Sequence, residues 1–292
     1  MAGARPVFAD VDPATGNLTA AAVAPHVTAR TRAIIPVHLY GLLCDMEALQ
    51  ALARARNLIL IEDSAHCVEA RRGPVRPGTH SDCACFSFYA TKNLTCGEGG
   101  ALATNDAALA ERVRRLALHG MTTSAYERYA SKYKHWDMPE WGWKYNLDNL
   151  RASLLTPQIR KLDELCRRRR EIAAEYEAGF RSLPGLEFPR VEQPTWSARH
   201  LFPIWVPPQH RDAVIAGLQE RGVGVGVNYR AVHLLDYYAR TCGYRRGDRP
   251  AAEAIGDRTL SLPLYPKLTA DEIQYVIAAV SATVGEFCAC PC

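Results

Sequence analysis

The chain has 292 residues, 48% of them hydrophobic and 23% charged, with a net charge of +4. This composition is ordinary for a globular protein, and the length suits one large domain and a smaller one. Apolar stretches are too short to span a membrane, no charged-then-apolar leader opens the chain and basic residues are scattered, so we expect a cytoplasmic protein that binds neither membranes nor nucleic acid.

Strands and helices alternate along the first part of the chain. Apolar runs predict strands at residues 7–11, 33–37, 58–62, 83–88 and 99–104. Amphipathic patterns predict helices at 20–27, at 46–54 behind the N-cap Asp45, and from Asn105 or Asp106 to about Leu118. Such alternation predicts an α/β fold, with a mostly parallel sheet and helices on both faces.

A long helical pattern at residues 149–180, interrupted near Pro157, leads out of this region. Beyond it, a strand at 201–206 and helices at 211–221 and 270–284 are predicted. The glycines of 222–226 lack the spacing of a dinucleotide fingerprint and predict a strand with close backbone approach. We therefore expect a cofactor-binding large domain at 1–165 and a smaller α+β domain at 166–292.

Two other segments are chemically distinctive. Residues 119–143 are irregular and rich in aromatic side chains, which predicts either stacking on a base or sugar or packing against a partner subunit. The tail Cys288-Ala289-Cys290-Pro291-Cys292 has the soft ligands of a metal site, but no second ligand pair with matching spacing lies nearby. We therefore expect a frayed tail and no bound metal.

Asp63 and Lys92 each follow a predicted buried strand. Asp63 comes directly after the strand at 58–62, at the end where open α/β sheets bind ligands. Lys92 lies just beyond the strand at 83–88, where partial desolvation lowers the pKa of a lysine and frees its lone pair. A carboxylate for a pyridine nitrogen and a lysine for an aldehyde are what pyridoxal phosphate requires. His66 is close enough to reach the same ring, or else caps a strand-to-helix turn.

Several segments strengthen this interpretation because they occur in the order found in one enzyme family. They are FADVD (8–12), IPVHLYG (35–41), IEDSAH (61–66), SFYATKN (87–93), KYNLD (144–148) and LSLPLYP (260–266). Together they resemble the DegT/DnrJ/StrS sugar aminotransferases, which are fold-type I pyridoxal-phosphate enzymes. The resemblance implies transfer of an amino group from glutamate or glutamine to a nucleotide-linked keto-sugar or a cyclitol.

The resemblance also implies roles for single residues. Lys92 would bond the cofactor and, once freed by the amino donor, carry a proton between carbon atoms. Asp63 would pair with the ring nitrogen, and His66 would contact the ring or its hydroxyl. Ser87 would donate to the cofactor phosphate. Asn146 would reach the phosphate of a neighbouring subunit's cofactor, which requires at least a homodimer. The alternative for Asn146 is an N-cap of the helix that begins near Asp148.

Two alternative functions remain at this point. Sugar dehydratases of the same family carry histidine where Lys92 stands, so the lysine argues against that activity. Family members usually have an additional opening section, with a phosphate loop and an aromatic residue that stacks on the cofactor, whereas this sequence starts almost directly at residues 7–11. This difference favours a truncated or non-catalytic partner subunit. It also predicts that this polypeptide alone binds the cofactor more weakly than a longer relative.

Overall fold

The computed structural model of the chain describes residues 3–122, 135–191 and 194–288. Its strands are β1 (Ala33–Ile34), β2 (Ile59–Asp63), β3 (Arg71–Arg72), β4 (Cys83–Ser87), β5 (Gly100–Ala103), β6 (Thr195–Trp196), β7 (Phe202–Trp205) and β8 (Thr259–Leu262). Its α-helices are α1 (Ala20–Val23), α2 (Met46–Ala55), α3 (Ala107–Ala117), α4 (Asn149–Phe180), α5 (Arg211–Glu220), α6 (Asp236–Cys242), α7 (Pro250–Arg258) and α8 (Ala270–Cys288).

The main sheet has the order β1-β2-β4-β5. β1 and β4 run parallel to β2, and β5 is antiparallel to β4 at one edge. The register places Asp63 beside Cys85, so β2 and β4 end at the same side of the sheet. The predicted mostly parallel sheet is confirmed, and it places the two predicted site segments next to each other.

The helices of the first part begin where their polar caps predict. Asp45 accepts a hydrogen bond from the Ala48 amide at 3.1 Å, and Asp106 accepts from Ala108 at 2.8 Å. An N-cap side chain satisfies a backbone N–H that has no partner within the helix. The predicted starts of α2 and α3 are therefore confirmed.

The predicted interruption near Pro157 is wrong, because α4 runs through the proline without a break. Individual residues of α4 are buried both before and after the proline. Leu155 packs in a cluster with Phe88 and Leu94, and Ile172 and Phe180 lie in the core of the C-terminal part. Packing of the apolar face outweighs the hydrogen bond that proline removes.

The predicted strand at residues 7–11 is also wrong, since only Val11 forms a bridge, to Leu18. This segment packs against the C-terminal part instead of joining the main sheet. The Phe8 ring meets Tyr244 edge-on at 5.3 Å, and the Asp10 carboxylate accepts hydrogen bonds from two amides in the first turn of α7. The Phe8 ring is therefore covered by aromatic side chains rather than by a neighbouring strand.

The glycines at 222–226 do not form the predicted strand, because only Gly226 forms a bridge, to Ser261. A Cβ added at Gly222 or Gly224 meets nothing within 4 Å, so the predicted close backbone approach is wrong there. The predicted division into 1–165 and 166–292 falls inside α4, which packs in both halves, and it stays a prediction.

Two of the distinctive sequence segments are only partly described by the structure. In the aromatic segment, the residues outside the described part include Tyr126, Tyr129 and Tyr133. In the cysteine tail, residues 289–292 lie outside it. In the part of the chain that the structure describes, no helix has the length and apolar character that crossing a membrane requires.

Candidate active site

Asp63 and His66 lie on the turn that follows β2. Asp63 ends the strand and is partly buried, and its Oδ1 accepts a hydrogen bond from the Ala65 amide at 3.1 Å. His66 is buried at 9% exposure. In the described residues, the next element after this turn is β3 and not a helix, so the alternative of a histidine that caps a strand-to-helix turn is wrong.

Lys92 lies on the loop after β4, where its amide donates to the Tyr89 carbonyl at 2.9 Å. The side chain is partly buried and within electrostatic reach of Asp63. Burial lowers the pKa of Lys92, and the Asp63 carboxylate raises it by a smaller amount. Among the described residues, Lys92 Nζ makes no hydrogen bond. The amine is therefore less basic than a surface lysine and free to react.

Tyr229 and His200, from the second half of the chain, complete a cluster with Asp63, His66 and Lys92. Neither was predicted from the sequence. Tyr229 Oη lies 3.2 Å from His66 Nε2, and the His200 ring packs on the His66 ring with centroids 4.3 Å apart. Burial, with a smaller effect of Lys92, lowers the pKa of His66 to about 4. Burial also lowers the pKa of His200 to about 2. Both imidazoles are therefore neutral at physiological pH.

The buried pair of His38 and Glu62 holds β2 from the face of the strand opposite to Asp63. Glu62, adjacent to Asp63, is completely buried and lies 2.7 Å from His38 Nε2. Glu62 also accepts hydrogen bonds from the Gly78 amide and the Ser81 hydroxyl. His38 was predicted to bond the backbone, and its Nδ1 does accept from the Cys44 amide at 3.2 Å. Alternation along the strand sends Glu62 into the core and Asp63 toward the cluster.

Ser87 and Asn146 are the predicted phosphate contacts. Ser87 ends β4, is partly buried and accepts from the Tyr89 amide at 3.3 Å. Asn146 is exposed and accepts a hydrogen bond from the Lys144 amine. Within the described ranges, Asn146 makes no hydrogen bond to the Asp63–Lys92 cluster. Asp148 caps α4 by accepting from the Arg151 amide, so the alternative of Asn146 as the N-cap is wrong.

The side chains present fit pyridoxal phosphate. Lys92 offers an unbonded amine for the aldehyde, Asp63 a carboxylate for the pyridine nitrogen, and Ser87 a hydroxyl for the phosphate. In the described part of the chain, no group of three or more histidine, cysteine or acidic side chains converges as a metal site would require. The amine, carboxylate and hydroxyl at the ends of β2 and β4 are the groups that this organic cofactor would use.

Comparisons with known proteins give a consistent result. The DegT/DnrJ/EryC1/StrS aminotransferase family profile matches residues 1–281. The spore coat polysaccharide biosynthesis protein SpsC of Bacillus subtilis is 40% identical over 284 residues, which is 95% of this chain and 73% of that protein.

Two solved structures share the fold of nearly all of this chain. The aminotransferase TlmJ from Streptoalloteichus hindustanus matches with a TM-score of 0.89 and 35% identity, over 97% of this chain and 74% of that one. The putative sugar aminotransferase Spr1654 from Streptococcus pneumoniae, in its PLP form, matches with a TM-score of 0.88 and 26% identity, over 98% and 76%. The predicted fold-type I α/β architecture is thus confirmed. The chain belongs to the DegT/DnrJ/EryC1/StrS aminotransferase family, whose members are pyridoxal-phosphate-dependent sugar aminotransferases.

Proposed function

We propose that this chain moves an amino group from glutamate or glutamine to a nucleotide-linked keto-sugar, or to a keto-cyclitol, with pyridoxal phosphate as cofactor. The proposal rests on one observation: the free amine of Lys92 and the carboxylate of Asp63 lie within electrostatic reach of each other where β2 and β4 end. Bound pyridoxal phosphate supplies an electron sink for bond-breaking at the amino-bearing carbon.

Lys92 is proposed to hold the cofactor and then to move a proton. Burial lowers the pKa of Lys92, which makes the unprotonated amine that a general base needs easier to reach than in a surface lysine. Asp63 is proposed to keep the pyridine nitrogen protonated. His66, neutral because it is buried, is proposed to contact the cofactor ring or its hydroxyl without adding positive charge. Ser87 is proposed to donate its hydroxyl to the phosphate.

We also propose that the enzyme is a homodimer and that Asn146 reaches the phosphate of the partner's cofactor. Asn146 is exposed, and its neighbours Tyr145, Leu150 and Leu154 expose 68%, 83% and 53% of their surface. Exposed apolar side chains at this density favour an interface. Residues 1–165 are proposed as the cofactor-binding domain and 166–292 as the smaller domain.

The amino donor is proposed on the resemblance alone, and the mildly basic chain suits an anionic nucleotide-linked acceptor. Transamination has two half-reactions, and each one tests one of the two proposed substrates. With pyridoxal phosphate bound, L-glutamate or L-glutamine is expected to release its 2-oxo acid in an amount equal to the enzyme, whereas D-glutamate releases none. A UDP-linked keto-hexose is then expected to restore the starting absorbance spectrum.

The half-reactions also show how the proposal would fail. Tight cofactor binding without release of a 2-oxo acid from either amino acid would contradict the proposed donors. The 2-oxo acid could be released and the starting absorbance spectrum then restored by a keto-cyclitol but not by UDP-linked keto-hexoses. That result would contradict the nucleotide-linked acceptor and leave the keto-cyclitol as the acceptor.

A further inference from the structure

Asn93, the residue after Lys92, is held by three hydrogen bonds from different parts of the chain. Its Nδ2 donates to Glu69 Oε1 at 2.9 Å and to the Ala198 carbonyl at 3.0 Å. Its Oδ1 lies 3.2 Å from His200 Nδ1. Both amide hydrogens and the amide oxygen are therefore in use, which fixes the orientation of the side chain.

These bonds also define the proton on His200. Since both hydrogens of the Asn93 amide go elsewhere, its oxygen must be the acceptor, and His200 Nδ1 carries the proton. His200 packs its ring against His66 at the same time. One neutral imidazole thus connects the residue beside Lys92 with the ring that lies on the turn after Asp63.

Glu69, the carboxylate that the Asn93 amide bonds, lies in a buried polar region whose groups are incompletely paired. Glu69 Oε2 and two nitrogens of Arg169 are buried without a hydrogen-bond partner among the described residues. Burial raises the pKa of Glu69, and the Asn93 amide opposes this effect by donating to the carboxylate. Removing the amide would leave further buried groups unpaired, which is costly in a low-dielectric interior.

We infer that Asn93 is a positioning residue, whose amide, held by Glu69, Ala198 and His200, fixes the backbone that carries Lys92 relative to His66. The inference deepens the proposed function and rests on its assignment of Lys92 as the cofactor lysine. Asn93 itself is not assigned a contact with cofactor or substrate. Asn93 acts on the site indirectly, through the backbone next to Lys92 and through the packed rings of His200 and His66.

Two variants and one control test the inference. Asn93→Ala removes all three bonds, and His200→Phe keeps a ring against His66 but removes the bond to Asn93. Glu98→Gln changes an exposed residue of the same loop. Acetic anhydride labelling of cofactor-free protein across a pH series, read by peptide mass spectrometry, reports the pKa of Lys92 against the exposed Lys161. Absorbance titration reports the affinity for pyridoxal phosphate.

In both variants the pKa of Lys92 is expected to rise toward the ordinary value of a lysine, because a displaced amine is less buried. Cofactor affinity is expected to fall about 3- to 10-fold for each hydrogen bond lost, while Glu98→Gln behaves like the wild type. An unchanged Lys92 titration and unchanged affinity in folded variants would overturn the inference, even if melting temperature dropped. If Asn93→Ala does not fold, His200→Phe decides. The labelling needs no transamination, so its outcome is separate from that of the proposed function.

Discussion

Lys92→Ala is expected to lower transamination by at least ~10³-fold, because one amine supplies both the covalent attachment and the proton transfer. The protein is expected to fold normally. Lys92 is only partly buried, and its Nζ makes no hydrogen bond among the described residues, so truncation leaves no buried group unpaired. Release of 2-oxo acid from the amino donor measures the loss.

The matched control is Lys161→Ala, which removes an exposed lysine from α4 and is expected to retain wild-type turnover. A small amine added to Lys92→Ala is expected to restore part of the activity, since it can accept the proton in place of Nζ. Turnover in Lys92→Ala close to that of the control would remove Lys92 from the proposed chemistry.

Asp63→Asn is expected to lower turnover by about 10²–10³-fold, because a neutral amide no longer holds the pyridine nitrogen protonated. Asp63 also has a measurable effect on Lys92. The carboxylate stabilises the protonated amine and so raises the pKa of Lys92. Its removal is expected to lower that pKa, and the labelling midpoint of Lys92 should move to lower pH.

The direction of this shift separates two explanations of the lost turnover. A lower pKa leaves more of Lys92 unprotonated at neutral pH, so a shortage of free amine cannot cause the loss. Asp163→Asn, an exposed substitution on α4, is the control and should leave both the turnover and the Lys92 titration unchanged. Near-normal turnover in Asp63→Asn would mean that Asp63 does not hold the ring nitrogen.

The features of this fold that depend on neighbouring residues could be predicted from the sequence. Asp45 and Asp106 identify helix starts because the cap and the amides it bonds lie within three residues. Asp63 and Lys92 could be placed together because neighbouring parallel strands end at the same side of a sheet. This rule depends only on the direction of the strands.

What the sequence did not reveal depends on contacts between distant residues. His200 and Tyr229 reach His66 from more than a hundred residues away, and no local pattern marks either of them. Residues 7–11 have the pattern of a strand, yet Phe8 packs on an aromatic ring and Asp10 bonds the first turn of α7. In each case tertiary packing, rather than local propensity, determines the structure.

The structure adds a physical account of the site that the motifs lacked. Burial keeps His66 and His200 neutral, so neither imidazole adds a positive charge beside the Lys92 amine. Glu62, completely buried beneath Asp63, fixes the end of β2 through His38. The proposed reactive groups thus rest on side chains that are themselves held in place.

The central claim is that Lys92 holds the cofactor, and borohydride reduction of the loaded protein tests it most directly. Reduction fixes the cofactor to the nitrogen that carries it, and peptide mass analysis then identifies the residue. We expect one pyridoxyl group per chain, on the peptide that contains Lys92, and none after addition of the amino donor. A pyridoxyl group on another lysine, with Lys92 unmodified, would contradict the claim.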